Sequence, residues 1–425
     1  MTREYKDSGI EWIGQIPKEW KLATLKQIGT YINGYAFKPE DWTDSGKPII
    51  RIQDLTGSMG SPNFYNGELD SKYLVSKGDI LVSWAATLDA FIWEKEEGWL
   101  NQHIFKALPS SDVNYQFFYW LIKLAMENMN NDNKHGIVMQ HVTTKVFGNF
   151  AVSIPSVNEQ QRIADYLDKV CGEVDEMVAL QETMIEELKA YKQSVITEAV
   201  TKGLNPNVPM RNSGIDWIGE IPEHWEVIKL SFLTSKIGSG STPTGGANVY
   251  VHEGVKFLRS QNVYFEGLNL NDVAFITETI DEEMKGTRVK PGDVLLNITG
   301  GSIGRCYYVD ESLGRANVNQ HVSIIRPTKI ETIYLKYSLQ SDLGQNQIAL
   351  LQTGGNREGL SAAALSNFKI LFPPMSEQRT IASYLDTKCS EIDSLIALKQ
   401  AKIEELKEYK KSVIYEYVTG KKEVV

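Results

Sequence analysis

Apolar side chains recur at steps of four and three residues along two stretches of this 425-residue chain. In the first, Ile163, Leu167, Val170, Val174 and Met177 form a stripe that resumes at Ile185, Leu188 and Val195 after a polar break at Gln181. In the second, Ile381, Leu385, Ile392, Leu395, Ile403, Leu406 and Val413 repeat it. Such spacing predicts two long helices that pair with each other through a coiled-coil seam. Each begins just after proline, with Asn158 or Ser376 placed as N-cap, and the first ends at Gly203. Between the helices lie shorter runs with the alternation of β-strands, bounded by Gly-, Asn- and Ser-rich segments.

The two helical stretches are copies of one another. Residues 154–202 align without gaps to 372–420, and roughly half of the positions match, which marks a duplication. The phrase SGIEWIGQIPKEW from Ser8 likewise returns as SGIDWIGEIPEHW from Ser213, identical at nine of thirteen positions. Shorter echoes connect the domains between: PIIRIQDL with KFLRSQNV, GDILVS with GDVLLN, NQHIFKALP with NQHVSIIRP, and NFAVSIP with NFKILFP. The expected fold class is α+β: two α/β domains separated by a long antiparallel two-helix coiled coil, with a pseudo-two-fold internal repeat. The parts are an N-terminal repeat segment (1–20), a first variable domain (21–155), a central helix (156–203), a linker with the second repeat segment (204–225), a second variable domain (226–373) and a C-terminal helix (374–421). Antiparallel helices of about 40 residues span roughly 60 Å and serve as a ruler. The twin phrases are expected to pack where a domain meets the helix end of the other repeat. Trp12, Trp20, Trp217 and Trp225 are then structural plugs rather than base-stacking platforms.

Charge changes the picture only in part. A net charge of −10 speaks against a nucleic-acid binder. Half of that excess lies on Glu159–Lys202, where ten acidic residues face five basic ones, and the flanking domains are closer to neutral. Three widely spaced cysteines, Cys171, Cys306 and Cys389, fit a reduced cytoplasmic chain rather than a zinc cluster. The segment GSGSTPTGG from Gly238 lacks the lysine of a phosphate-binding loop, and TGGSIG from Thr299 lacks the strand-to-helix setting of a dinucleotide site. His103 and His321 recur without a cysteine or acid recurring beside them, so neither a metal set nor a nucleophilic triad is legible.

These phrases, with GDVLLNITGGSIGR, PSVNEQQRIADYLD, PPMSEQRTIASYLD and VTKGLNPNVPMRNSGIDWIGEIPEHW, resemble the specificity subunits of type I DNA restriction-modification enzymes over essentially the whole chain. The first domain departs from that pattern, because SWAATLDAFIW from Ser83 lacks the glycine pair found at Gly300 and Gly301. The resemblance implies a non-catalytic subunit whose two target-recognition domains read the two parts of a split double-stranded DNA target. It also implies partners: two methyltransferase (modification) subunits, and motor-nuclease (restriction) subunits. S-adenosylmethionine, ATP and magnesium are then expected on the partners and no cofactor on this chain. No membrane is implied. The setting would be the prokaryotic cytoplasm, with nucleoid association when DNA is bound.

If the halves read different sequences, residues identical in both cannot discriminate, and base readers should lie where the copies diverge in polar loops. In the first domain that singles out Asn33–Lys47 and Asn130–His141, with Lys134, His135, Gln140 and His141 as candidates. In the second it singles out Ser239–His252, the Thr299–Arg305 turn and Gln345–Arg357, with Asn356 and Arg357 foremost. Arg51 and Arg259 are candidates for phosphate contacts, with fold-stabilising roles equally open, and Gln261 is a further DNA-binding candidate. The repeated Asn-Gln-His triplets at Asn101 and Asn319 read as structural or as shared backbone contacts. The acidic face of Glu182, Glu186 and Glu187 is expected to dock the methyltransferase. Two rivals stay open: an enzyme whose catalytic part carries no legible motif, and a scaffold with two ligand-binding domains and no DNA affinity.

Overall fold

A computed structural model of the chain describes residues 3–57, 61–85, 87–132, 144–215, 218–352 and 359–424. The chain forms two compact units, one of residues 1–181 with 401–425 and the other of residues 182–400. Each holds one variable domain and a portion of both long helices.

In the first unit, β1 (Gly29–Asn33), β2 (Ile80–Ser83), β3 (Asp89–Ile92) and β4 (Ile104–Pro109) form an antiparallel sheet of order β1-β4-β2-β3. Helix α1 (Tyr115–Asp132) covers it through Phe117, Phe118, Leu121 and Ala125, all buried in one core with Ile80, Val82 and Phe105. A second sheet pairs Lys47–Ile50 with Gly98–Leu100 in parallel. The long helix α2 (Val157–Lys202) follows.

The second unit repeats this plan. Strands β5 (Thr234–Ser239), β6 (Val294–Asn297), β7 (Cys306–Tyr308) and β8 (Val322–Pro327) take the same order, β5-β8-β6-β7. Val255–Leu258 and Ala316–Val318 supply the parallel pair. Helix α3 (Thr332–Gln340) stands where α1 stands, and the chain closes with α4 (Met375–Val418).

Within the first unit α2 and α4 run antiparallel, since the Tyr166 and Tyr417 rings meet at a tilt with centroids 4.4 Å apart while Lys410 Nζ meets Asp175 at 2.6 Å. Within the second, Lys192 Nζ meets Asp393 at 2.7 Å, and Ile196, Ala199 and Val200 share a core with Ile381, Leu385 and Cys389. The buried stripe differs from the expected seam. Cys171 and Cys389 are buried, whereas Met177 and Leu395 are half exposed, and the inward positions beside them are Val178 and Ile396. A strict three-four alternation drifts off the face of a straight helix, and the observed stripe keeps the natural period of about 3.6 residues. The helix starts also differ. The first begins at Val157, with Ser156 Oγ receiving the Glu159 amide at 3.4 Å, and the second at Met375, so Asn158 and Ser376 lie inside the first turn rather than at the cap.

The twin phrases are plugs at helix ends. Trp20 and Trp225 are both 0% exposed. The indole of Trp20 donates to Glu159 Oε2 (3.1 Å) and that of Trp225 to Glu377 Oε2 (3.2 Å), acids that correspond in the repeat. Gly420 (φ +72°) lets its helix end come up against Trp20, and Gly203 (φ +76°) does so against Trp225. Thus the phrase of each repeat seats the helix end of the other. Trp12 is half-buried and stacks on Phe150 at 5.2 Å. Trp217 lies outside the described residues. Among those residues no helix is long and apolar enough to cross a membrane.

Candidate nucleic-acid interface

In the second unit the candidate loops converge on the β6–β7 hairpin. Asn297, fully buried at the end of β6, donates from Nδ2 to Ser260 O (2.8 Å) and lies 3.2 Å from Ser302 Oγ. One side chain therefore ties the segment after Arg259 to the Gly300–Ser302 turn. At the base of that turn Thr299 Oγ1 lies 2.6 Å from His321 Nδ1, and Gln320 Nε2 lies 3.0 Å from His321 Nε2. With the amide donating to Nε2, the ring carries its proton on Nδ1 and gives it to Thr299. The Thr242 hydroxyl bonds Gln320 in turn, so the Ser239–His252 loop joins the same group. Ser239 itself is exposed at the end of β5, opposite Ser323. Arg305 closes the turn, its guanidinium 4.8 Å from the Tyr264 ring centroid. Asn356 and Arg357 lie outside the described residues, but Leu360, which follows them, donates to Ile298 O at 2.8 Å beside Thr299.

The first unit builds its counterpart differently. Asn33 is exposed at the end of β1, and next to it Gly34 packs directly on the Asn101 carbonyl, as Gly240 packs on Val318. Gln102 Nε2 lies 3.4 Å from His103 Nε2, yet His103 Nδ1 is buried without a partner among the described residues. The reason is local. The residue matching Thr299 is Ala85, which has no hydroxyl to offer. Likewise the residue opposite the end of the central strand is Arg305 in one unit and Asp89 in the other, and Asp89 is held by Lys123 at 2.9 Å. Lys134, His135, Gln140 and His141 lie outside the described residues.

The remaining candidates are engaged in the fold. Lys47 Nζ lies 3.0 Å from Glu97 Oε2, and this ammonium, with Ser76 Oγ, holds the Glu97 carboxyl below its ordinary range. Arg51 donates to Asn63 Oδ1 at 3.2 Å and lies over Trp42. Arg259 donates to the Asp272 carbonyl at 2.6 Å, and Gln261 donates to the Asp272 carboxylate at 2.5 Å. Both arginines also start a short helical turn whose third residue, Asp54 or Asn262, caps their own amide. Glu182, Glu186 and Glu187 are exposed, with Lys189 at 2.9 Å from Glu186. Sequence reading missed Tyr264 and Asn297. The signal available for Tyr264 was divergence, since the aligned residue of the first copy is Thr56.

Among the described residues no group of three or more His, Cys, Asp or Glu could hold a metal ion. Burial pushes the thiols of Cys171 and Cys306 up to about 11 and about 12, which keeps them protonated and unreactive.

Residues 17–190 and 222–408 match the family described as type I restriction modification DNA specificity domain. The chain is similar to the type I restriction enzyme MjaVIII specificity subunit of Methanocaldococcus jannaschii, 26% identical over 418 residues that cover 96% of this chain and 94% of that protein. It is also similar to the type I restriction enzyme EcoBI specificity subunit of Escherichia coli, 26% identical over 410 residues, with 93% and 84% covered. A solved structure described as the structural basis underlying complex assembly and conformational transition of the type I R-M system shares the fold. Its TM-score is 0.68 at 16% identity, covering 95% of this chain and 98% of that one.

Proposed function

The chain belongs to the type I restriction-modification DNA specificity family, and on that premise we propose that each variable domain reads one half of a split double-stranded DNA target while the helix pair docks two methyltransferase subunits. It is a sequence-recognition subunit with two DNA specificity domains, not a catalytic one, and it acts with modification and restriction subunits. The proposal extends to the cofactors: S-adenosylmethionine, ATP and magnesium are bound by those partners.

One observation carries the bipartite reading. The scaffold contacts are repeated pair for pair, as in Trp20–Glu159 and Trp225–Glu377, whereas the loop groups differ chemically at equivalent places. Thr299 corresponds to Ala85 in that comparison. A common frame with unlike readers suits two unlike half-sites. Loop candidates Asn33, Ser239 and Thr299 then lie toward bases, and Lys47, Arg51, Arg259 and Gln261 reach phosphate only by exchanging their present partners.

Docking is supported by exposed apolar residues at corresponding positions of the helices. Met177 and Leu180 are 50% and 57% exposed, and Leu395 and Leu398 are 47% and 66% exposed. On the second unit's part of α2, Glu182, Glu186 and Glu187 offer exposed carboxylates of their own.

Co-expression with the cognate methyltransferase, followed by genome-wide mapping of methyladenine, tests the reading. A motif of two short specified blocks around an unspecified gap is expected. A continuous motif, or none, contradicts it. For docking, reversing the charges of Glu182, Glu186 and Glu187 should weaken co-purification; unchanged recovery removes that surface.

A further inference from the structure

The geometry points to Tyr264 as a positioning residue that holds Arg305 as a clamp on a DNA phosphate at the half-site taken by the second unit, an inference that rests on the DNA-recognition reading above. Four arginines of this domain are committed to acids. Arg259 pairs with Asp272, Arg288 and Arg315 with Asp281, and Arg326 with Asp293. Among the described residues no ion pair involves Arg305. Its guanidinium lies instead over the Tyr264 ring, 4.8 Å from the centroid. Stacking on a ring fixes the plane of the fork while its edge donors stay available for a bidentate oxygen pair.

Both partners stand on fixed backbone. The Asn297 amide donates to Arg305 O at 2.8 Å, and Arg305 in turn donates from its backbone to Ser302 O at 3.1 Å. Tyr264 starts a turn closed by its amide on Gly267 O at 3.0 Å, just after the Ser260 carbonyl that Asn297 also holds. The clamp and its support therefore share one buried anchor.

Phosphate, rather than a base edge, is the target for a geometric reason. The Tyr264 ring fixes the plane of the Arg305 fork and leaves its edge donors to a pair of oxygens, which a phosphate presents. The sugar-phosphate backbone takes roughly half or more of protein–DNA hydrogen bonds. At the equivalent position the first unit has no arginine. Its equivalent residue is Asp89, a carboxylate that would repel phosphate and is neutralised by Lys123.

The test uses the complex with the cognate methyltransferase. Its probes are a fluorescein-labelled duplex bearing the motif mapped for the unsubstituted complex and a scrambled duplex of equal length. Arg305→Ala should weaken binding to both about eightfold at ~0.1 M salt and reduce the slope of log affinity against log salt by about one. Tyr264→Ala should weaken binding about two- to fivefold. Tyr264→Phe, which keeps the ring, should match the unsubstituted complex. Arg305→Lys should keep the salt slope with a smaller loss. The methylation motif should be unchanged throughout. Melting curves accompany each variant, and the Phe and Lys substitutions keep the comparison readable if an alanine variant melts early. An unaltered salt slope for Arg305→Ala overturns the clamp, and so does a motif relaxed at one base. Equal losses in Tyr264→Phe and Tyr264→Ala overturn the role of the ring. If the unsubstituted complex yields no split motif, the DNA-recognition reading fails before any variant is compared.

Discussion

Lys192 Nζ lies 2.7 Å from both carboxylate oxygens of Asp393 within the second unit. Their counterparts in the repeat, Lys410 and Asp175, make the same bidentate contact at 2.6 Å within the first. An ion pair repeated through the duplication fixes the helix register within each unit, because a one-turn slip there would part it. Lys192 is the better shielded partner, 19% exposed against 44% for Asp393. Solvent screening limits such a contact to about 0.5–1 kcal/mol. A double-mutant cycle of Lys192→Ala and Asp393→Ala, followed by urea denaturation, should return a coupling energy of about 0.5 kcal/mol. Strict additivity would deny the pair its role.

Trp225 should matter far more. Truncating a fully buried tryptophan removes its packing and leaves a cavity, a loss of about 3–5 kcal/mol, and here it also strips Glu377 of an indole donor. Trp225→Ala should therefore lower the melting temperature markedly, with any loss of DNA binding following the loss of fold. Reduced DNA affinity at an unchanged melting temperature would instead make the ring a stacking platform.

Much of this arrangement could be read in the sequence, and for a physical reason. The Asp175–Lys410 and Lys192–Asp393 pairs, Glu159 and Glu377, and the twin tryptophans lie in gapless copies, where one alignment supplies both halves of each contact. The finer seam was not legible. Whether Met177 or Val178 turns inward depends on the accumulated phase of a real helix, which the apolar letters alone leave open. The Arg305–Tyr264 contact was hidden for another reason. It joins a hairpin to a β-turn through Asn297, and that connection arises only when the sheets form. Arg51 and Arg259 were ambiguous in sequence, and both stand in contacts within the domain.

Alkaline pH offers a separate check on the core of the second unit. Tyr334 is fully buried, its hydroxyl donating to Leu371 O at 2.9 Å, and burial raises its pKa above the ordinary 10.0. The folded chain thus holds this phenolic proton more tightly than the unfolded chain. The resulting stability is fully present below pH 10 and is lost as pH rises beyond it. Tyr334→Phe should cost about 1 kcal/mol near neutrality through the missing hydrogen bond. It should also flatten the decline of the melting temperature above pH 10 relative to the unsubstituted chain. Parallel declines in the two proteins would count against the phenol as a contributor.

The central claim, two unlike readers on a duplicated frame, is tested most directly by exchange. Residues 21–154 are replaced by the matching domain of another family member, and methyladenine is mapped genome-wide in cells that also carry the cognate methyltransferase. The account predicts a motif in which one specified block changes while the other block and the gap stay as they were. A change in both blocks, or in neither, would contradict it.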